Sequence, residues 1–237
     1  MSRHDVNDAS KKFYSEIIDS LWENKPVSVV RYGDGELACV MLHNTGRGGK
    51  NADGDDYYPP LCNSIKETLE NPICAENFYL CLGSHCRDIG FVTELKRVGI
   101  WNESIPFKDA FVFVHAGIDG RLQELIDLLN TKYSIFVAPK YLHELKIDFN
   151  HVIEAPVRGS WRDSERLEQA IEDVLPDEEM AIVIMPVGMG AVPLIHSLYR
   201  RHGSKHTFID FGSPFDAYVD SHVHRSHFDL IENKLDL

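Results

Sequence analysis

Apolar residues recur at helical spacing over residues 10–24. Phe13, Ile17, Ile18, Leu21 and Trp22 are interleaved with Lys11, Lys12, Glu16 and Asp19, which predicts an amphipathic packing helix. Val27, Val29 and Val30 follow Pro26 as a β-branched run and predict a short buried strand, after which an apolar helix-like pattern resumes at Leu37. Further on, residues 61–69 look helical and residues 77–82 (NFYLCL) look like a second strand. The same signals predict a third strand over 111–115 (FVFVH) and a helix over 120–129, then strands over 133–138 and 151–155 and a helix over 163–174. A strand over 182–185, a helix over 192–201 and a last strand over 207–211 complete the series. Strands alternating with helices predict an α/β chain, Rossmann-like, with a largely parallel sheet covered by helices on both faces and right-handed crossovers. Ligands of such sheets sit beyond the carboxyl ends of the strands.

The 237 residues suit a single domain of this kind. Residues 1–25 form its N-terminal packing helix, residues 43–60 a flexible loop rich in Gly, Asn and Asp that serves as a lid or faces an acceptor, and residues 219–237 a polar tail. With 37 acids against 24 bases the formal charge is −13, which disfavours an extended nucleic-acid groove. The five cysteines include no C-x-x-C pair, so neither a disulfide framework nor a zinc ribbon is expected; reduced thiols and a cytoplasmic location fit better. The N-terminus is polar from its first residues, and the apolar run over 180–195 is broken by Pro186, Gly188, Gly190 and Pro193, so no signal peptide and no transmembrane segment is expected.

Chemistry concentrates at Arg31-Tyr32-Gly33-Asp34-Gly35-Glu36, the turn between the first strand and the helix behind it. The free N–H groups and macrodipole of a helix N-terminus favour an anion, and phosphate is the natural guest. Asp34 and Glu36 would repel it unless a cation lies between, and Mg²⁺ or Mn²⁺ binds through one or two carboxylates together with water and substrate phosphates. The turn therefore reads as a metal-bridged nucleotide site, with Asp34 and Glu36 as the metal ligands.

Other strand ends carry weaker signals. His85 and Arg87 follow the second strand and His115 closes the expected third, which makes them candidates for phosphate or acceptor contacts. Gly188 and Gly190 allow close backbone approach in a second strand-to-helix turn and offer another anion or sugar cradle. Asp53, Asp55 and Asp56 do not meet the spacing of a calcium loop. The tail holds His222, His224 and His227, a pattern that fits no common zinc site.

The unbroken match from Arg31 to Glu36 resembles the R-[FY]-G-D-G-E signature of the GT-D fold glycosyltransferases, which hold a nucleotide-sugar through a D-x-E motif and a divalent metal. The likeness extends to Ala155-Pro156, to Gly188 with Ala191, and to Asp210-Phe211-Gly212 with Asp216. It implies a GT-D type fold and a metal-dependent glycosyltransferase with a UDP-sugar donor and a hydroxyl acceptor on a glycan or glycoprotein. Arg31, Tyr32, Gly33, Gly35, Gly188, Gly190 and Asp210 are then the donor-binding residues. Members of the family often carry a histidine after the last glycine, and Ser213 stands there instead. Asp216 becomes the first choice for the catalytic base, with His85 and His115 in reserve. A minority alternative for the acceptor is a hydroxylated DNA base, for which Arg47, Lys50, Arg158, Arg162 and Trp161 supply charge and stacking surface. Two other functions stay open: a metal-dependent phosphohydrolase using the same carboxylates with the tail histidines, and a non-catalytic nucleotide-binding module.

Overall fold

The computed structural model describes residues 6–44, 49–51, 54–88, 90–219 and 228–231. Seven strands form one sheet: β1 (Ser28–Tyr32), β2 (Phe78–Leu82), β3 (Lys108–Asp109), β4 (Ser134–Pro139), β5 (His151–Ala155), β6 (Ile182–Ile184) and β7 (Thr207–Ile209). Every pairing is parallel, in the order β3-β2-β1-β7-β6-β4-β5. The α/β fold with a parallel sheet is thus as the sequence predicts.

The helices are α1 (Asp8–Trp22), α2 (Asp34–Asn44), α3 (Pro59–Glu70), α4 (His85–Asp88), α5 (Phe91–Arg97), α6 (Val112–Ile118), α7 (Leu122–Leu129), α8 (Ser164–Glu172) and α9 (Ala191–His202). Strand side chains alternate between two cores. Val30, Tyr32, Leu80, Val137 and Val183 face α2, α3, α5, α8 and α9. Val29, Cys81, Phe136, Ile182 and Ile209 face α1, α6 and α7. Both faces are covered, which explains why the strands are apolar almost throughout. None of the described helices is long and apolar enough to cross a membrane.

One expected strand is wrong. Residues 112–115 belong to helix α6, which Phe111 precedes as N-cap and which packs on α1, and the third strand is the two-residue β3 just before it. A short unbroken apolar run is equally compatible with a fully buried helix and a buried strand, and here both faces of FVFVH are enclosed. After β2 the chain forms two short helices, α4 and α5, divided at Gly90, whose φ of 80° is left-handed. The long loop is shorter than its composition suggests, because α2 runs to Asn44 and α3 starts at Pro59, where proline suits a helix's first turn. At the C-terminal end, Ile231 is buried against α6 beside Gly117. His222, His224, His227, Arg47 and Asp53 lie outside the described residues.

His196 of α9 is buried against Phe78, its Nδ1 on the Val192 carbonyl and its Nε2 without a hydrogen-bond partner among the described residues. Burial lowers its pKa from 6.5 to about 4. Unfolding frees this imidazole to take up a proton between those values, so native stability falls as pH drops through that window. At pH 5 the loss amounts to about 2 kcal/mol relative to neutral pH. His196→Met should flatten this part of the profile and leave the urea midpoint at pH 7.5 unchanged or higher. Identical acid slopes in wild type and variant would count against it.

Candidate active site at the carboxyl edge of the sheet

The pairing register aligns the strand ends on one side of the molecule. Tyr32 is abreast of Leu82 and Leu82 of Asp109, so the turns after β1, β2 and β3 emerge side by side. The chain leaves β1 toward one face of the sheet, where α2 joins the first core, and leaves the neighbouring strand β7 toward the other, where Phe211 and Phe215 join the second, so a crevice opens between the two strand ends. The motif Arg31–Glu36 opens at this crevice.

Arg31 is the anchor. Its Nη2 is 2.9 Å from Asp210 Oδ1, its Nε donates to the Asp210 carbonyl and its Nη1 to the Ala110 carbonyl. The guanidinium therefore ties together the ends of β1, β7 and β3, using a planar fork that lysine lacks. Gly212, with φ of 70°, packs directly on this guanidinium and leaves no room for a Cβ. Burial raises the pKa of Asp210, while Arg31 draws it back down.

Glu36 points inward from the first turn of α2, and its Oε2 accepts the Gly33 N–H at 2.8 Å. Burial first, and the charge of Asp210 second, raise it from 4.5 to about 7. Two acids thus lie near one half-buried arginine, which pairs with Asp210, and with both acids ionised the site carries one negative charge in excess. A proton or a bound cation removes that excess. Asp34 faces out, its side chain 64% exposed. His85 Nε2 is 3.8 Å from its Oδ1, and this imidazole holds Asp34 below the ordinary carboxylate range.

Among the described residues no three His, Cys, Asp or Glu side chains converge into a cage. An all-oxygen donor set of one outward and one recessed carboxylate is nonetheless what a hard divalent ion takes when water and phosphate oxygens fill its other positions. The chemistry of these residues fits Mg²⁺ or Mn²⁺ in that mode, and Asp34 and Glu36 would be the ones to hold it.

The second glycine turn joins the first. A Cβ on Gly35 would lie 3.6 Å from Met189 Sδ and 3.4 Å from Asn51 Cβ, so the turns after β1 and β6 and the loop after α2 touch. Gly188 has a φ of 62°, and Gly190 is pressed against Ser160, whose hydroxyl donates to the Val187 carbonyl.

The other sequence candidates are placed differently. Tyr32 is wholly buried, its hydroxyl donating to Thr68, so it belongs to the core and not to the crevice surface. His115, expected at a strand end, sits inside α6 at 4% exposure, with Nδ1 2.8 Å from Ser10 Oγ and 3.1 Å from Asp109 Oδ2. Asp216 lies in the turn after β7 and accepts the Tyr141 hydroxyl at 3.1 Å. His85 and His115 flank the Phe111 ring at centroid distances of 5.5 and 6.0 Å. Of the basic residues, Lys50 pairs with Asp56 and Arg162 stacks over Tyr58. Sequence reasoning met Asp55 only within a calcium-loop pattern that failed, and missed Asp109 and Tyr141, which have no motif around them.

No family model matches the sequence, and no curated protein does. Solved structures match over nearly the whole chain. One, described as a new glycosyltransferase (DUF1792) from Streptococcus sanguinis, is 19% identical, with a TM-score of 0.62 over 92% of this chain and 91% of that one. A second, described as showing that the highly conserved domain of unknown function 1792 has a distinct glycosyltransferase fold, is 17% identical, with a TM-score of 0.60 over 89% of this chain and 84% of that one. This chain shares the fold of these structures. At these identities the likeness concerns the fold, and the activity has to be argued from the residues. On this shared fold the Arg31–Asp210 pair, Glu36 and Asp34 lie at the crevice between the ends of β1 and β7, beyond the carboxyl edge where α/β sheets bind their ligands.

Proposed function

We propose that the chain is a metal-dependent glycosyltransferase that takes a nucleotide-sugar, a UDP-sugar in the first instance, and transfers the sugar to a hydroxyl acceptor of the glycan or glycoprotein class. The observation that carries this reading is the excess of negative charge at the mouth of β1, where Glu36 and Asp210 lie near a single arginine, on a fold shared with a structure described as having a distinct glycosyltransferase fold. Asp34 and Glu36 would hold Mn²⁺ or Mg²⁺, and the bound ion would supply positive charge against the donor's diphosphate and the charge that grows on the departing nucleoside diphosphate.

The protein's own groups supply position. Arg31 is occupied by Asp210 and the Ala110 carbonyl, so its part is to hold the carboxylates and strand ends in register. The Gly188–Gly190 turn and the start of α9 bring backbone N–H groups to the same crevice and orient the diphosphate. Removal of the acceptor hydroxyl's proton falls to Asp216 or His85 at the carboxyl edge. His115, enclosed by Ser10 and Asp109, supports the wall behind Phe111.

Thermal-shift measurements with UDP and UDP-sugars test the reading. UDP with Mn²⁺ should raise the melting temperature by several degrees, because a ligand at a hundred times its Kd adds about 2.7 kcal/mol and each kcal/mol moves a chain of this size by about 2–4 °C. Either component alone should do much less. Turnover should release UDP only when an acceptor is present; release of free phosphate from simple esters would point to the hydrolase, and an absent Mn²⁺-dependent shift would defeat the assignment.

A further inference from the structure

Asp55 lies in the polar connection between α2 and α3, yet it is only 6% exposed. Its Oδ1 accepts a hydrogen bond from Gly159 N–H at 2.6 Å, and its Oδ2 lies 3.0 Å from the point a Cβ on Gly188 would occupy. One carboxylate thus touches the turn after β5 and the turn after β6 while belonging to the connection behind the Asp34–Glu36 turn. The connection is closed on itself around this residue. Asn51 Oδ1 accepts Asp55 N–H at 2.7 Å, Asn51 N–H donates to the Asp55 carbonyl, and Tyr57 N–H donates to the Gly49 carbonyl. Asn51 in turn packs on Gly35, inside the candidate metal turn.

A carboxylate is an expensive group to bury in a surface connection. The acid stands where three loops that frame the crevice meet, and its hydrogen bond fixes a backbone N–H directly before the Ser160 turn that clamps Gly190. Constellations that bind phosphates depend on this kind of outer support, since small displacements of the contacting backbone are costly.

We propose that Asp55 is a positioning residue that holds the Gly35 turn and the Gly188 turn together as the two walls of a nucleoside diphosphate site; the proposal rests on the nucleotide-binding reading above. Asp55 does not touch the ligand in this scheme. It sets the separation of the walls that do, so its loss lowers affinity for the diphosphate more than it lowers the stability of the fold.

The test is calorimetric titration of UDP into the full chain with Mn²⁺, well below the melting temperature of each variant, alongside hydrogen exchange of the peptides that contain residues 49–58 and 159–160. Asp55→Ala should weaken UDP binding on the order of tenfold to a hundredfold and speed exchange in both peptides. Asp55→Asn keeps an oxygen for Gly159 N–H and should recover most of the affinity. If the alanine variant does not fold, Asp55→Glu keeps the charge but pushes the loop outward by a methylene and should show the same loss of affinity. Unchanged UDP affinity in a folded alanine or glutamate variant overturns the positioning role. Failure of the wild type to bind UDP with Mn²⁺ overturns the nucleotide reading beneath it, a different result from a wild type that binds and a variant that binds equally well.

Discussion

Arg31→Met is expected to destabilise the fold by about 3–5 kcal/mol at neutral pH, the usual cost of stranding a buried charge. The Arg31 and Asp210 side chains are 18% and 4% exposed, so solvent screens their pairing little. Methionine fills much of the volume but leaves the Asp210 carboxylate beside Glu36 with no positive charge between them, and three backbone or side-chain acceptors lose their donors. The two acids respond by holding their protons to higher pH. An acid whose pKa is raised in the folded state costs stability above its unfolded value, so the deficit is largest at pH 8 and shrinks as the pH falls toward 5. Urea unfolding at both pH values measures this directly. A loss of the same size at pH 5 and pH 8 would mean that packing, not charge, is what Arg31 supplies. Adding Asp210→Asn to Arg31→Met should give back part of the loss, because the second change removes the stranded charge.

Glu36→Gln should separate stability from function in the opposite direction. With its pKa raised from 4.5 to about 7, Glu36 makes the metal-free fold less stable as pH climbs through that interval. The full effect is up to about 3 kcal/mol. Glutamine keeps an oxygen for Gly33 N–H and does not ionise, so in chelator at pH 7.5 the variant should unfold at a urea concentration equal to or above that of the wild type. In the proposed mechanism the same change removes a metal ligand. The melting-temperature rise produced by UDP with Mn²⁺ should disappear, and with it acceptor-dependent release of UDP. A site that stores destabilising charge for its ligand gains stability when the charge is deleted. Wild-type turnover in this variant would refute the metal assignment outright, whereas a collapse of the fold would show that the carboxylate is needed for structure.

The sheet was legible because its signals are local. The β-branched runs before Tyr32 and Pro139, and the apolar run ending at Ile184, sit between polar turns, and each strand is long enough or buried enough to stand out. The candidate metal turn was legible for the same reason, as six contiguous residues with a strand before and a helix after. The segment 111–115 shows where local information ends. Its five residues carry no period that separates a buried helix from a buried strand, and its state depends on α1 packing over it and on Arg31 binding the Ala110 carbonyl.

The pairs that make the crevice work join residues far apart along the chain. Arg31 meets Asp210 across 179 positions and Asp55 meets Gly159 across 104. No spacing rule reaches that far, because these contacts follow from strand order, which places β7 beside β1 and β6 beside β7. Tyr32 makes the same point from within the motif: its side chain falls on the buried face of an alternating strand, and the core claims it. Hydrophobic periodicity and turn chemistry, which act over a few residues, settled the alternation of elements and the acidic turn. Sheet order and burial, which act between distant segments, settled which acids face water, which arginine holds them, and that an aspartate in the polar α2–α3 connection lies buried against the turns on the far side of the crevice.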